Sequence, residues 1–271
     1  MTTVALLGLG EAGSAFAADL LAAGVTLRAY DPKVTAPDGA LDCRDEADAV
    51  TGADLVISAN SAADAVTAAT RAGTGLAPST VYVDANTSSP ARKREIAAAL
   101  PDGALFADVA LMSTVPGLGI RVPMVASGPA AGRAAELLTV VGATVTVVDG
   151  PAGEAAGRKL LRSVFFKGLA AAVVESLEAA RAAGLETETR AEIARELERA
   201  TAATVDRLVD GSRRHAVRRS HEMAAAVEML DGLGVPSRVS AASRDWLEQL
   251  AAEATDAAEA AEAAGTGEGR A

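Results

Sequence analysis

Six residues near the start of the chain, Gly8-Leu-Gly10-Glu11-Ala12-Gly13, constrain it more than any other stretch. They follow the apolar run Val4-Ala-Leu-Leu directly and open the helical pattern Ser14-Ala-Phe-Ala-Ala-Asp-Leu-Leu. Glycines at this spacing between a strand and a helix permit a tight turn at Gly8, close approach of a ligand to the backbone at Gly10, and close helix-to-strand packing at Gly13. A helix N-terminus exposed at such a turn binds phosphate through its free N–H groups. The pattern predicts a dinucleotide site, with Glu11 and Ala12 in the same loop. Asp31 ends the second apolar run, where a carboxylate accepts hydrogen bonds from the ribose hydroxyls and repels a 2′-phosphate. That favours NAD, and the neighbouring Lys33 keeps NADP open.

The rest of the first half alternates aliphatic runs with Ala-rich helical patterns. The runs are residues 25–31, 54–60, 80–86, 104–112, 122–128 and 143–149. Such alternation predicts an α/β fold, a doubly wound, mostly parallel Rossmann sheet covered by helices. Ligands in these sheets collect at the carboxyl ends of the strands. Asn60 after the third run, and Asn86 and Thr87 after the fourth, are therefore expected beside the nicotinamide. After Gly150-Pro151 the character changes to helices alone, with breaks expected at Gly184, Gly211 and the segment 232–236. The organisation read from this is a dinucleotide-binding domain over 1–150, an all-α substrate and dimerisation domain over 151–261, and a disordered polar tail over 262–271. One helix of about 31 residues over 153–183 joins the two domains.

A formal charge of -11 disfavours nonspecific binding to nucleic acid or to an anionic membrane, because the long-range field repels polyanions. No run is apolar for long enough to span a bilayer. The single cysteine, Cys43, forms no internal disulfide and lacks the neighbours of a zinc site, so no metal is expected. The expected setting is the cytoplasm.

These residues resemble the β-hydroxyacid dehydrogenase superfamily, which includes 3-hydroxyisobutyrate, tartronate semialdehyde and 6-phosphogluconate dehydrogenases. The matching stretches are GLGEAG (8–13), DANTSSP (84–90), ADVALM (107–112) and GEAAGRK (153–159). GEAGSAFAADL, KLLRSVFFKG and RRHAVRRSHEM (213–223) are similar to a bacterial branch with an uncharacterised, 6-phosphogluconate-dehydrogenase-like C-terminal domain. The resemblance implies a homodimer, and a catalytic lysine at the start of the interdomain helix in a G-x-G-x-x-x-K-x-x-x-N pattern. Read onto this chain, Lys159 takes the lysine and Ser163 stands in place of the asparagine. The two are i and i+4 on one helix face. The family's substrate-carboxylate loop corresponds to the stretch from Asp108, where Ser113 and Thr114 offer hydroxyls and the S-G-G of the family is missing.

A hydride leaves a carbinol carbon only if the hydroxyl proton also departs, and Lys159, flanked by Leu160, Leu161, Val164 and Phe165, is the candidate general acid/base. Lys167 lies eight residues on, too far along a helix to share its proton, and is a candidate for substrate selection or dimer packing. In the basic cluster at 213–219, helical spacing pairs His215 with Arg219, candidates for a small anionic or polar substrate. The reading is an NAD(P)-dependent oxidoreductase acting on a small β-hydroxy acid or its semialdehyde. The alternatives are an imine or ketimine reductase, an oxidative decarboxylase of a sugar acid, and a dinucleotide sensor without turnover.

Overall fold

The computed structural model describes residues 2–267, with side chains described to residue 260. The chain forms two compact units, one ending at Ser163 and the other running from Val164. The first is built on a sheet of eight strands: β1 (Thr3–Leu7), β2 (Thr26–Tyr30), β3 (Leu41–Asp42), β4 (Leu55–Ser58), β5 (Val81–Asp84), β6 (Leu105–Leu111), β7 (Met124–Ser127) and β8 (Val145–Val147). Their order is β3-β2-β1-β4-β5-β6-β7-β8, and every pairing is parallel except β6 with β7. The sheet is the expected Rossmann architecture, with two differences of detail. Strand β3 is two exposed residues, too short to show a period. The link from β6 to β7 contains only a 3-10 turn, Gly119–Arg121, and without a crossover helix adjacent strands run antiparallel.

Strands β4 and β5 are buried at every residue, so they read as continuous apolar runs. Neighbouring residues feed opposite layers. Leu6, Ile57, Val83 and Val109 pack with Phe16, Leu20 and Leu138 on one face. Leu7, Val56, Tyr82 and Phe106 pack with Val50 and Ile96 on the other. Helices α1 (Glu11–Ala22), α2 (Glu46–Val50), α3 (Ala65–Gly73), α4 (Pro90–Ala98) and α5 (Ala131–Val140) cover these faces. Helix α4 starts where Ser89 accepts from Arg92 N and proline takes the first helical position.

Helix α6 (Glu154–Ala182) is the long helix expected, but the division between units falls within it, after Ser163, and not at residue 150. Its first turn is bonded into the sheet unit, as described below. It ends at Gly184, φ +77°, where Leu185 N donates to Ala180 O and Gly184 N to Arg181 O, a Schellman stop. Helices α7 (Glu186–Glu198), α8 (Ala202–Arg214), α9 (Ala216–Gly232) and α10 (Arg238–Gly267) complete the second unit. Helix α9 stops in the same way at Gly234, φ +70°.

The expected break at Gly211 is not there. Helix α8 runs through it and breaks at His215, and the preceding break is at Thr201, which forms a capping box with Thr204. Gly211 is small because a Cβ on it would sit 2.9 Å from the Arg219 guanidinium. Stretch 213–223 is therefore two helices meeting at His215, not one. The tail expected over 262–271 is helical in its backbone to Gly267; residues 268–271 lie outside the described residues.

Helix α10 borrows its cap from α6. Glu175 accepts from Val239 N (2.6 Å), Ser240 N (2.7 Å) and Ser240 Oγ (2.7 Å). Burial raises its pKa, but the hydrogen bonds from Ser240 and from the backbone of Val239 and Ser240 outweigh this and leave it below the ordinary glutamate value. A lowered folded pKa contributes stability that is complete above the unfolded value and is lost as pH falls through the folded one. Glu175→Ala is expected to destabilise the helical unit by about 1–2 kcal/mol at neutral pH, the usual cost of a lost cap. Thermal unfolding of the two proteins should converge as the pH is lowered below the ordinary glutamate value and through the lowered one.

Candidate active site

The glycine loop joins the end of β1 to α1. Gly8 has φ +98°, a conformation that favours glycine, and a Cβ there would lie 2.7 Å from Ala59 O. Gly13 faces it, with a Cβ position 2.0 Å from Gly8 O. Both are packing glycines. Gly10 is different: a Cβ there meets nothing within 4 Å, and it caps α1 without a side-chain hydrogen bond. The first-turn N–H groups of α1 thus open onto a cleft of about 510 Å³ lined by Gly8, Gly10, Glu11, Ala12, Asp31, Lys33 and Asn60, among others. An anion approaching Gly10 meets the positive end of the helix dipole with no side chain in the way. The cradle fits a dinucleotide.

Asp31 does more than face the cleft. Its Oδ2 accepts from Leu9 N (2.8 Å), and its Oδ1 from Lys33 N (2.8 Å) and Val34 N (3.1 Å). The carboxylate ties the end of β2 to the glycine loop, a bond that sequence spacing does not announce.

A smaller recess of about 240 Å³ shares Ala12, Ala59 and Asn60 with the cleft and adds Asn86, Thr87, Ser113 and Lys159. Lys159 Nζ donates to Thr87 Oγ1 at 2.8 Å. Burial, and then the positive charges of Lys93 and Arg162, hold its pKa below the ordinary lysine value. Asn86 is buried, and its Nδ2 donates to Asn60 Oδ1 (2.9 Å), Ser58 Oγ (3.1 Å) and Asp84 Oδ1 (2.5 Å). Thr114 is exposed beside Ser113, and Ser163 lies one turn beyond Lys159 on α6. The structure thus brings together Asn60, Asn86, Thr87, Ser113 and Lys159 from four separate stretches of chain.

Lys167, His215 and Arg219 belong to the helical unit. Lys167 is exposed. His215 is exposed at the corner between α8 and α9, and Arg219 turns back to Ser212 Oγ (3.0 Å). His215 and Arg219 keep their helical spacing, with Arg219 N donating to His215 O (3.0 Å), while the Arg219 guanidinium is taken up by Ser212.

A buried ion cluster escapes sequence reading altogether. Lys93 on α4, Asp84 at the end of β5 and Asp108 in β6 are all 0% exposed. Lys93 Nζ lies 2.6 Å from Asp84 Oδ2, 2.8 Å from Asp84 O and 2.9 Å from Asp108 Oδ1. Burial pushes the Asp84 carboxyl above its ordinary value, against the pull of Lys93. In the sequence, PARKREI reads as a solvated helix. The available signal was spacing: Lys93, Ile96 and Leu100 fall at i, i+3 and i+7, one helical face, and the two apolar members are buried.

Residues 3–150, more than half of the chain, match the family model described as the NAD binding domain of 6-phosphogluconate dehydrogenase. The chain belongs to this family. Residues 180–250 match a second model, a Domain of unknown function (DUF1932), and the two together place the chain in the β-hydroxyacid dehydrogenase superfamily, in a branch with this C-terminal domain. A probable 3-hydroxyisobutyrate dehydrogenase of Mycobacterium tuberculosis (strain ATCC 25618 / H37Rv) is 35% identical over 102 residues, 35% of each chain. An NAD-dependent L-serine dehydrogenase of Pseudomonas aeruginosa is 31% identical over 174 residues, 60% of this chain and 54% of that protein. The chain thus spans from about a third to a little over half of the length of these curated relatives. Among solved structures, a Streptomyces aurantiacus imine reductase shares the fold, with a TM-score of 0.74 at 20% identity over 92% of this chain and 94% of that one. Among the described residues no helix is long and apolar enough to cross a membrane.

The glycines differ in what substitution should do. Gly10→Ala has room in the folded protein, so its thermal stability should change by no more than about 0.5 kcal/mol. The added methyl occupies the anion's approach, and NADH affinity measured by fluorescence titration should fall at least about tenfold, or roughly 1.4 kcal/mol. Gly13→Ala should instead lower the unfolding temperature, since its methyl collides with backbone.

Proposed function

We propose that this protein is an NAD-dependent oxidoreductase that transfers a hydride between nicotinamide and a small β-hydroxy acid or its semialdehyde, with Lys159 as general acid/base. The observation that carries the reading is Lys159 Nζ, bonded to Thr87 at 2.8 Å in a recess that shares its wall with the glycine-loop cleft. When bound, the nicotinamide supplies the hydride acceptor or donor. Lys159 in its neutral form takes the substrate hydroxyl proton in oxidation, and as the ammonium returns it in reduction. The Thr87 hydroxyl, by accepting from Nζ, orients the amine toward the recess. Ser113 offers a hydroxyl at the same mouth, and Ser163, Thr114, Lys167, His215 and Arg219 are the further candidates for holding the substrate's polar groups. The relatives named as hydroxyisobutyrate and serine dehydrogenases support a substrate of this class. Asp31 favours NAD, because a negative charge at the end of β2 repels a 2′-phosphate.

A homodimer accompanies this reading. Leu161, Val164, Phe165 and Phe166 are exposed on α6, and neither α7 nor α8 buries a residue within the chain. Exposed apolar surface of this kind is what an obligate interface covers. Sedimentation at micromolar concentration should give twice the chain mass.

The activity is tested by screening small β-hydroxy acids with NAD and NADP. Lys159→Ala should lower kcat by about 10²- to 10⁴-fold, the usual worth of a positioned acid or base, while NADH affinity is unchanged within about threefold. Because the neutral amine is the base, kcat for oxidation should rise with pH through a midpoint below the ordinary lysine value. For reduction it should fall through the same region. Unchanged turnover in Lys159→Ala defeats the assignment.

A further inference from the structure

The reading above leaves unexplained why a lysine with no access to water sits in the wall behind the recess. Stability alone is a weak reason, since a buried ion pair gains little over well-packed apolar side chains. The connections of the cluster are more informative. Lys93 joins Asp84 to Asp108. Asp108 Oδ2 accepts from Gly153 N (3.1 Å), Ala156 N (2.9 Å) and Ser127 Oγ (3.3 Å), and Ser127 Oγ accepts from Ala155 N (2.9 Å). Asp108 and Ser127 are therefore the cap of α6, the helix that carries Lys159. On the other side, Asp84 holds Asn86 by a hydrogen bond, and the next residue is Thr87, the partner of Lys159. The contacts close a ring: Lys93, Asp84, the 86–87 loop, Lys159, the first turn of α6, Asp108 and back to Lys93. The start of α6 is also wedged against α4, because a Cβ on Gly153 would lie 2.8 Å from Pro90 O.

We propose that Lys93 is a positioning residue for Lys159: by tying Asp84 to Asp108 it fixes the height of the α6 N-terminus over the 86–87 loop, and so the place at which the Lys159 amine meets Thr87 and the reacting atom. The proposal rests on the acid/base reading of Lys159. A displacement of about 1 Å at such a group is enough to cost on the order of 10²-fold in rate, and reactive groups are held by supporting contacts of this kind.

Three full-length variants test it. Lys93→Met removes the tie and leaves two buried carboxylates. Lys93→Met with Asp84→Asn leaves one, still bonded by the α6 amides. Asp108→Asn keeps the Lys93 and Asp84 pair and an amide oxygen for Gly153 and Ala156. Thermal unfolding identifies the folded variants, and NADH fluorescence reports the cleft. The chain has four lysines, Lys33, Lys93, Lys159 and Lys167, so ¹³C NMR of labelled lysine side chains follows Lys159 without any substrate. In a folded variant NADH affinity should change by less than about threefold while kcat falls by about 10- to 100-fold with little change in KM. In Asp108→Asn, where the lost carboxylate by itself would lower the Lys159 midpoint, that midpoint should rise toward the ordinary lysine value; the Lys93 variants raise it in any case by removing a positive charge. Wild-type kcat in a folded variant, or a Lys159 midpoint in folded Asp108→Asn that is unmoved or lowered, overturns the proposal, as does unfolding of all three, which assigns the cluster to stability alone. If Lys159→Ala retains turnover, the acid/base reading fails separately, and the Lys159 titration in Asp108→Asn still decides whether the Lys93 tie positions Lys159.

Discussion

An ammonium shut away from water, between two carboxylates at the carboxyl end of the sheet, is the interaction on which the rest of the site depends. The four residues Ser58, Asp84, Asp108 and Ser127 occupy one register row across β4, β5, β6 and β7, and all are fully buried. Ser58, Asp84 and Asp108 lie two residues beyond Val56, Tyr82 and Phe106 on the same strands, where the apolar layer gives way to a polar one. Lys93 neutralises the centre of that row. Removing one member of such a buried pair typically costs about 3–5 kcal/mol, because the partner is left charged without water. The loop carrying Asn86 and Thr87 and the first turn of α6, one turn before Lys159, are both anchored to this row.

The nucleotide cleft is organised by backbone more than by side chains. Gly8 and Gly13 are needed so that α1 lies close to the sheet, and Gly10 so that the helix N-terminus stays open. Asp31 adds a constraint that its strand-end position does not reveal. By accepting from Leu9 it holds the loop shape, so one carboxylate both shapes the turn and sets the charge beside it.

The helical unit obeys simpler rules. Left-handed glycines stop α6 and α9, Glu175 supplies from afar the cap that α10 lacks, and Gly211 is kept small by a guanidinium and not by a turn. The basic stretch 213–219 is divided by these contacts: Arg218 pairs with Glu222, Arg219 with Ser212, and His215 marks the corner.

The sequence by itself determined the class of fold, the glycine loop, the strand-end residues Asn60, Asn86 and Thr87, and the place of Lys159 near the start of a long helix. Each of these follows from local patterns, such as turn geometry, apolar period and helix length, that a linear reading carries in full. The antiparallel β7, the helix running through Gly211 and the break at His215 needed the fold, because they turn on what a distant residue packs against. So did the Lys93 cluster. Its members are far apart in sequence, and only strand register brings Asp84 beside Asp108 and turns the Lys93 face of α4 inward. A charge that reads as solvated in the chain becomes buried once long-range pairing decides which surface faces water.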